Sequence, residues 1–191
     1  MLKIFVTATD TDAGKTYAAQ ALVNAFVAEN KKVAVYKPIS AGCMRVNNVL
    51  VNEDALLLLK QSNCQQEISQ VNPIAFEPPI APHIAAAEMQ KVISLTDIKQ
   101  GYDEVITADA DVVICEGAGG WRLPLGQGQY LSEFVQESRQ NVLLVVNMKL
   151  GCLNHAVLTY ESIVADGVNC VGWIANCPEN MPYLTENIQE L

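Results

Sequence analysis

A glycine- and lysine-containing loop between two apolar segments constrains the fold of this chain more than any other feature. Residues 9–16, of sequence T-D-T-D-A-G-K-T, follow a short apolar run at 3–7 and precede a long apolar stretch at 17–28. The glycine lets backbone N–H groups turn toward an anion, the lysine supplies a point charge for phosphates, and the threonine hydroxyl suits Mg²⁺. The order strand, loop and helix therefore predicts a nucleoside triphosphate site at the start of a helix.

The loop departs from the usual pattern G-x-x-x-x-G-K-[ST], because Thr9 stands where the first glycine is expected. A G-K-T triplet can also occur by chance in a surface turn. The apolar strand before the loop and the apolar helix after it favour a functional phosphate loop, since a surface turn needs neither. We therefore predict ATP or GTP with Mg²⁺ as its ligand.

Length and charge exclude several classes of protein. The chain has 191 residues, half of them apolar, and a formal net charge of −9. We expect a single domain over residues 1–191, because the chain is short for two ordinary domains. The longest run of basic residues is the pair at 31–32, which provides no electrostatic footprint for DNA or RNA. No apolar run approaches membrane-spanning length, so we expect neither nucleic acid nor a membrane as partner.

The six cysteines indicate a reducing compartment. They form no C-x-x-C pair and three of them lie inside apolar runs, so we interpret them as buried free thiols. The N-terminal residues lead into the first strand without the basic region, apolar stretch and cleavage site of a secretory signal. Both observations favour a cytoplasmic location.

Apolar segments typical of strands alternate with helical segments along the chain. Strands are expected at residues 4–8, 32–37, 111–116, 141–147 and 168–175. Helices are expected at 17–29, 53–61, 82–89, 95–108, 130–139, 154–166 and 179–191. This alternation predicts a parallel sheet with helices on both faces. Two stretches, 42–51 and the proline-rich 71–82, are expected to be loose, and we interpret the second as an ordered excursion or a lid.

Polar residues occur where the predicted strands end. Lys37, Glu116 and Asn176 end or follow three of the strands, and Asn147 and Lys149 follow a fourth. Singly, each residue is more often explained by solvation at the rim of the sheet. Because ligands bind beyond the carboxyl ends of parallel strands, their coincidence with the phosphate loop indicates one site.

The same edge offers candidate ligands for Mg²⁺. Glu116 opens the glycine-rich segment 116–120 and matches the position of the acid that anchors Mg²⁺ in P-loop proteins, although a plain glycine turn is the alternative. A second acid is expected, and Asp54 is the candidate, although acids are also common at helix starts. Thr16, Asp54 and Glu116 are therefore the predicted metal ligands.

Two further segments carry candidate groups. Pro38 fixes the chain directly after Lys37, whose ammonium would serve an anionic centre near the γ-phosphate. Residues 149–155 join a strand to a helix and offer backbone N–H groups to a carboxylate, with Asn154 as the candidate helix cap. His83 is interpreted as a structural histidine rather than a base.

Taken in order, these motifs resemble those of the dethiobiotin synthetases, from residue 3 to residue 176. The motifs are T-x-T-D-x-G-K-T at 9–16, Y-K-P at 36–38, Asp54, V-N-P at 71–73, P-H at 82–83, V-I-C-E-G-A-G-G-W at 113–121, K-L-G-C-L-N-H at 149–155 and G-W-I-A-N at 172–176. The phosphate loop alone is moderately specific, whereas the ordered set is highly specific. That family also lacks a glycine at the position of Thr9.

The resemblance implies a single-domain P-loop fold of three α/β/α layers with a mostly parallel central sheet. It also implies that 7,8-diaminopelargonate, CO₂ and ATP are converted to dethiobiotin for biotin synthesis, with Mg²⁺ as cofactor. An amine takes up CO₂ as a carbamate, the carbamate oxygen attacks the γ-phosphate, and the neighbouring amine closes the ring and expels phosphate. Because both reacting groups are anions, the site needs Mg²⁺ and lysines.

The resemblance also assigns roles to individual positions. The implied catalytic residues are Lys37, Lys15 and Thr11. The implied nucleotide-binding residues are Asp12, Ala13, Gly14, Lys15, Thr16, Tyr17, Glu116, Gly117, Ala118, Gly119 and Asn176, of which Asn176 reads adenine. The implied substrate-binding residues are Thr11, Lys37, Ala41, Leu150, Gly151, Cys152, Asn154 and Tyr183, with Tyr183 contributed by the last helix. In the family the pocket is completed across a dimer interface, so the resemblance implies a homodimer.

The chain departs from the family pattern in two places. The serine that usually follows Y-K-P lies at the position of Ala41, whereas this chain has Ser40 one residue earlier. A hydroxyl contact to the substrate is therefore not implied at Ala41. Family members continue with another strand and loop over the adenine, so we expect this sequence, which ends at Leu191, to lack that C-terminal part.

Two other classes of protein share much of this pattern. Nucleotide switches of the ParA and MinD kind carry a signature lysine early in the loop, where this chain has Thr9, Asp10 and Thr11. The amidases that act on cobyrinic acid need a glutamine-hydrolysing domain, for which 191 residues leave no room. The sequence therefore favours a synthetase over both.

Overall fold

The computed structural model describes residues 1–106 and 109–191, which contain eleven strands and eight helices. The strands are β1 (Leu2–Ala8), β2 (Val33–Tyr36), β3 (Ile39–Ser40), β4 (Met44–Val46), β5 (Val49–Val51), β6 (Ile74–Ala75), β7 (Val112–Glu116), β8 (Pro124–Gly126), β9 (Gln129–Tyr130), β10 (Asn141–Asn147) and β11 (Cys170–Asn176). The helices are α1 (Lys15–Ala28), α2 (Glu53–Gln61), α3 (Ile68–Val71), α4 (Pro82–Glu88), α5 (Leu95–Ile106), α6 (Leu131–Glu137), α7 (Cys152–Ala165) and α8 (Leu184–Glu190).

Five parallel strands form the central sheet, in the order β11-β10-β1-β7-β2. β1 lies at its centre, where Val6 pairs with Glu116 of β7. On the far side of β7, Tyr36 of β2 pairs with Cys115. The carboxyl ends of these strands therefore meet at one edge, and the segments that follow β1, β2 and β7 lie side by side there.

Side chains of the central strands alternate between two apolar cores, as the period of a strand requires. Ile4 and Val6 point to the face covered by α1, whose Val23 is fully buried. Phe5 points to the opposite face, together with Tyr102 of α5. Helices thus cover both faces, which confirms the predicted α/β/α layers with a parallel central sheet.

The outer edge of β2 is hydrogen-bonded by side chains from the segment after α2. Ser62 Oγ donates to the Val33 carbonyl over 2.7 Å, and Asn63 Oδ1 accepts from the Val33 N–H over 2.7 Å. Gln66 bonds both backbone groups of Val35, each over 2.9 Å. Edge strands present unpaired backbone groups, and here side-chain hydroxyl and amide groups satisfy them.

The long elements agree with the sequence-based expectations to within a few residues, with one larger error. The expected helix at 179–191 begins only at Leu184, because Tyr183 has φ +58° and Pro182 precedes it. α1 begins earlier than expected, at Lys15, so the end of the phosphate loop forms the first helical turn. α5 extends to Ile106, and the last two residues of the helix expected at 95–108 lie outside the described residues.

The stretch 42–51, expected to be loose, contains the antiparallel hairpin β4–β5. Its turn is the pair Asn47–Asn48, with φ +48° and +65°. Asparagine tolerates this left-handed conformation, and two such residues form a tight hairpin turn. The expectation was wrong because the flanking strands have three residues each, too few to show a period.

The proline-rich stretch 71–82 lies outside the central sheet, as its prolines predict. Ile74–Ala75 pairs instead with Ile39–Ser40 in a small parallel sheet, and Pro82 occupies the first turn of α4. Elements of two to four residues, such as β3, β6, α3, β8 and β9, were not expected from the sequence. None of the helices within the described ranges is long and apolar enough to cross a bilayer.

Candidate active site

A cavity of about 820 Å³ opens at the carboxyl edge of the central sheet. Its volume lies in the range of small-molecule sites. Most of the expected site residues line it, together with several that were not expected. The lining residues are Thr11, Asp12, Gly14, Lys15, Thr16, Lys37, Ser40, Ala41, Asn52, Asp54, Pro79, Ile80, Ala81, Pro82, Glu116, Gly117, Ala118, Gly119 and Leu123.

The phosphate loop ends in the first turn of α1. Gly14 caps that helix with φ +91°, a conformation that side chains disfavour. Lys15 Nζ donates to the Asp10 carbonyl over 3.3 Å, and Lys15 is only 8% exposed. The lysine thus folds back over the loop that surrounds the space for phosphates. Two expected nucleotide-binding residues do not line the cavity: Ala13 of the loop is buried in the core, and Tyr17 is exposed to solvent.

Asn176, at the end of β11, packs directly on this loop. Its Nδ2 donates to the Ala13 carbonyl over 3.0 Å. A Cβ placed on Gly14 would lie 2.3 Å from the same Nδ2, so a side chain at position 14 would displace the Asn176 amide as well as strain the backbone at φ +91°. Asn176 is therefore beside the nucleotide loop, as expected, although it does not line the cavity itself.

Lys37 and Glu116 meet at the floor of the cavity. Lys37 Nζ lies 2.7 Å from Glu116 Oε1 and 3.4 Å from Asp54 Oδ2. Thr16 Oγ1 donates to the same Glu116 oxygen over 2.7 Å. Thr16 of α1 and Lys37, directly after β2, thus meet on the Glu116 carboxylate of β7, and Asp54 of α2 contacts the same Lys37 ammonium. This arrangement brings together residues that are up to a hundred positions apart in sequence.

The electrostatic environments of the two lysines differ. Burial lowers the pKa of the Lys37 ammonium, but the Glu116 and Asp54 carboxylates together raise it by more, so the pKa lies above its ordinary value. Burial and the charge of Lys37 both lower the pKa of Lys15, and the nearby carboxylates compensate only in part. The surroundings therefore favour the protonated form of Lys37 and disfavour the protonated form of Lys15.

The oxygen atoms around Glu116 suit Mg²⁺. Glu116 Oε2 is buried and has no hydrogen-bond partner among the described residues, although buried carboxylate oxygens are normally bonded. The Thr16 hydroxyl bonds the other oxygen of Glu116, and the Asp54 carboxylate contacts the Lys37 ammonium that Glu116 also bonds. One or two carboxylates with a hydroxyl, completed by phosphate oxygens and water, is a donor set that Mg²⁺ prefers. The described residues include no cluster of three or more His, Cys, Asp or Glu side chains that could hold a metal ion.

The loop between β10 and α7 is joined to the phosphate loop by an ion pair. Lys149 Nζ lies 2.8 Å from Asp10 Oδ2, and Asp10 Oδ1 accepts from the Thr11 N–H over 2.8 Å. The hydrogen bond from Lys149 is the main cause that lowers the pKa of Asp10. Asp10 thus contacts both the loop expected to bind a carboxylate and the residue expected to touch substrate.

The remaining expected substrate residues lie outside the cavity lining. Asn154 does not cap α7: Gly151 occupies that position with φ +92°, and Asn154 lies within the first turn. Leu150 is 97% exposed and Tyr183 is 76% exposed. Tyr183 precedes α8 rather than belonging to it. Within one chain, Leu150 and Tyr183 therefore face solvent, and their assignment to substrate stays a prediction.

Several residues that shape the cavity were not expected from the sequence. Asn52 caps α2 by accepting from the Ala55 N–H over 3.2 Å, which fixes the turn that carries Asp54. An Asn directly before two acids and an apolar run is a recognisable cap signal. Ser40 and residues 79–82 also line the cavity. The stretch 71–82 was interpreted as an ordered excursion or a lid, but nothing in the local sequence pattern indicates the position of Ser40.

The parallel sheet and the phosphate loop define the chain as a P-loop nucleotide-binding protein of the α/β class. A family model described as "AAA domain" matches residues 2–191. A ParA family ATPase from Chlorobium tepidum superposes with a TM-score of 0.55 at 12% identity, covering 99% of this chain and 79% of that one. The kinase domain of the Escherichia coli tyrosine kinase ETK gives 0.51 at 16% identity, covering 94% and 70%. These low identities show the shared fold alone.

Curated relatives are far more similar in sequence. Proteins named ATP-dependent dethiobiotin synthetase BioD are 47% identical in Idiomarina loihiensis and 46% identical in Aeromonas salmonicida. Each match covers 98% of this chain, and 85% and 83% of the relative. The chain therefore belongs to the ATP-dependent dethiobiotin synthetase family, which confirms the resemblance seen in its motifs.

Proposed function

We propose that this protein closes the cyclic urea of dethiobiotin from 7,8-diaminopelargonate and CO₂, using ATP, as a step of biotin synthesis. ATP-dependent dethiobiotin synthesis is the activity named for its relatives at 47% and 46% identity. The observation that carries the proposal is the position of Lys37, whose buried ammonium shares a cavity with the phosphate loop and lies 2.7 Å from Glu116.

The two lysines suit a reaction between two anions. A carbamate oxygen has to approach a γ-phosphate, and the repulsion between them must be offset at the reacting centre. Lys15 belongs to the phosphate loop, and Lys37, directly after the end of β2, lines the same cavity. The raised pKa keeps Lys37 protonated at neutral pH, so it stabilises negative charge rather than accepting a proton.

We propose three steps. One amine of the substrate attacks CO₂ and loses a proton to give the carbamate, and a carbamate oxygen displaces ADP from the γ-phosphorus. The second amine then attacks the carbonyl carbon, and phosphate leaves as the ring closes with loss of a proton. Lys15 and Lys37 hold the negative charge that moves between these oxygens, and Thr11 positions the substrate beside the phosphates. Thr16, Asp54 and Glu116 would hold Mg²⁺, which neutralises phosphate charge when bound.

An assay with single omissions tests the proposed function. Dethiobiotin and ADP should form only when the diamine, bicarbonate, Mg²⁺ and ATP are all present. Hydrolysis of ATP at the same rate without the diamine would instead support a nucleotide switch, the class whose fold this chain shares. Product formation that does not change when Mg²⁺ is removed by chelation would contradict the proposed metal site.

We also propose that the protein is a homodimer whose interface includes the outer face of α7. Val157, Leu158, Tyr160 and Val164 of that helix are each about half exposed, and Leu150 lies fully in solvent beside its start. Contiguous exposed apolar side chains of this kind mark interaction surfaces. A partner subunit covering this face would also cover the residues 150–154 assigned to the substrate carboxylate.

Leu158→Asp should convert a dimer into a monomer in sedimentation analysis and abolish product formation. Val92→Asp is the matched control, because Val92 is equally exposed but lies between α4 and α5. A wild-type protein that sediments as a monomer while fully active would contradict the proposed dimer without affecting the proposed reaction.

We propose the cytoplasm as its location. All six cysteines are free thiols in the structure, and three of them, Cys43, Cys115 and Cys152, are buried. The expectation that all six are buried was wrong, because Cys64 and Cys170 are only partly buried and Cys177 is exposed. Burial raises the pKa of the Cys115 thiol well above its ordinary value. Thiols in this state are typical of proteins in a reducing compartment, where ATP is also available.

A further inference from the structure

A buried asparagine bonds the segment that carries both Lys37 and Ser40, two residues of the cavity lining. Asn72 is 6% exposed and lies between α3 and β6. Its Nδ2 donates to the Lys37 carbonyl over 2.7 Å, and its Oδ1 accepts from the Ser40 hydroxyl over 2.6 Å. One side chain therefore bonds two residues of the cavity that are three positions apart.

The chemistry of the partners fixes the direction of these hydrogen bonds. The Lys37 carbonyl can only accept, so the NH₂ group of Asn72 must face it and the amide oxygen must face Ser40. Ser40 therefore donates its hydrogen to Asn72, and Cys43, whose Sγ lies 3.1 Å from Ser40 Oγ, is the donor to Ser40. The result is a single directed chain from Cys43 through Ser40 and Asn72 to the backbone of Lys37.

Backbone hydrogen bonds extend this connection on both sides. The Lys37 N–H donates to the Val71 carbonyl over 2.7 Å, and the Phe76 N–H donates to the Ser40 carbonyl over 2.9 Å. Residues 37–43 and 71–78 therefore run alongside each other, with Asn72 at the end nearest the reacting centre. Beyond them, residues 79–82 form part of the cavity wall.

We propose that Asn72 is a positioning residue of the active site, which fixes the backbone at Lys37 so that its ammonium is held at the reacting centre. The proposal rests on the proposed function, because it acts through Lys37. A flexible lysine side chain is useful in catalysis only when its base is fixed, and displacement of a charged group by about 1 Å costs up to about a hundredfold in rate.

Asn72→Asp tests the proposal with little change in shape. The substitution keeps an acceptor for Ser40 but places a carboxylate oxygen against the Lys37 carbonyl, so that bond is lost. The matched control is Gln66→Glu, because the Gln66 amide also donates to a backbone carbonyl, that of Val35 in β2, and accepts a second hydrogen bond from the Val35 N–H. Both variants lose one amide-to-carbonyl bond beside β2, but Gln66 lies away from the cavity lining.

For Asn72→Asp, kcat at saturating substrates should fall about tenfold or more, while the Kd for ADP stays within about threefold of wild type. For Gln66→Glu, kcat should stay within about twofold even if Tm falls equally. Equal kcat values in the two variants would overturn the proposal, because Asn72 would then act through stability alone. Asn72→Ala serves if Asn72→Asp does not fold, because it also removes the bond to the Lys37 carbonyl and adds no charge. Its kcat should fall about tenfold, and a kcat within about twofold of wild type would overturn the proposal.

A second measurement does not depend on turnover. The backbone amides of Lys37 and Phe76 should exchange hydrogen faster in Asn72→Asp and unchanged in Gln66→Glu. If the wild-type protein forms no dethiobiotin, the proposed function fails, whereas faster exchange in Asn72→Asp still supports the positioning role. Unchanged exchange together with a normal kcat in Asn72→Asp would exclude that role.

Discussion

Lys37 and Glu116 form an ion pair of 2.7 Å in which the two side chains are only 4% and 1% exposed. A buried pair is costly to break, because the remaining charge is left without compensation in a medium of low dielectric constant. The same pair belongs to a cavity that also contains the phosphate loop. We therefore expect stability and the proposed catalysis to depend on the same two groups, and substitutions can separate the two contributions.

Lys37→Met should lower the free energy of unfolding by about 3 kcal/mol, because the Glu116 carboxylate stays buried and unpaired. Product formation should fall by about a hundredfold or more, since a charge at the reacting centre is lost. The double variant Lys37→Met/Glu116→Gln should regain most of the stability and none of the activity. Urea unfolding and a dethiobiotin assay measure the two effects; loss of ADP binding in Lys37→Met would show that Lys37 serves the nucleotide instead.

Lys15→Met should stabilise the nucleotide-free protein while abolishing the rise in Tm caused by ATP. The folded-state pKa of Lys15 lies below the ordinary 10.5, so the charged form destabilises the fold at all pH values below the folded pKa. That cost disappears as the pH rises through the folded pKa toward 10.5. The gain in Tm should therefore be largest near neutral pH and smaller in alkaline buffer, as thermal unfolding at several pH values would test.

The Asp10–Lys149 pair should contribute little to stability, because both side chains are almost half exposed. A double-mutant cycle with Asp10→Asn and Lys149→Met should give a coupling free energy below about 1 kcal/mol, falling toward zero at high salt. The pKa of Asp10 is lowered, so this contribution is present above the unfolded value of 3.8 and is lost as the pH falls. A coupling that does not change with salt would indicate that the pair is shielded from solvent.

Asn176→Ala should raise KM for ATP about tenfold and change kcat little, because the side chain packs on the nucleotide loop and lies away from Lys37. It should also reduce the preference for ATP over GTP if Asn176 reads adenine. Asn169→Ala is the control, since Asn169 makes a side-chain bond to Asn141 near the opposite end of β11. If both substitutions changed KM equally, Asn176 would have a structural role and would not contribute specifically to ATP binding.

The convergence of Lys37, Glu116 and the phosphate loop could be predicted, because the prediction requires only the positions in the sequence at which the apolar strands end. Continuous apolar strands imply a parallel sheet, and a parallel sheet brings their carboxyl ends to one edge. Strand order did not need to be known, since every central strand ends there. This is why residues a hundred positions apart, such as Thr16 and Glu116, could be assigned to one site before any contact was known.

Beyond the interpretation of 71–82 as an excursion or a lid, the part of the cavity lining formed by Ser40 and residues 79–82 was not predicted, because it depends on strands of two residues and on one side-chain amide. Such elements have no period, and their pairing is decided by tertiary contacts. The cap of α7 was assigned to Asn154 because asparagine is a good cap, whereas Gly151 in a left-handed conformation already takes that position. The residue preference for a helix cap gave the wrong position here, because the backbone conformation at Gly151 determines where α7 begins.

The side chains of Ser62, Asn63 and Gln66 along β2 also affect how the folded protein behaves at high concentration. A strand added to the edge of a sheet presents a new edge of unpaired backbone groups. These side chains instead bond the backbone groups of β2 and present no further strand to pair with. The folded molecule therefore offers no template for strand addition by a neighbouring chain along this part of β2. Resistance to amyloid-like association at that edge is then a property of three side chains, and it can be lost while the fold and the active site remain intact.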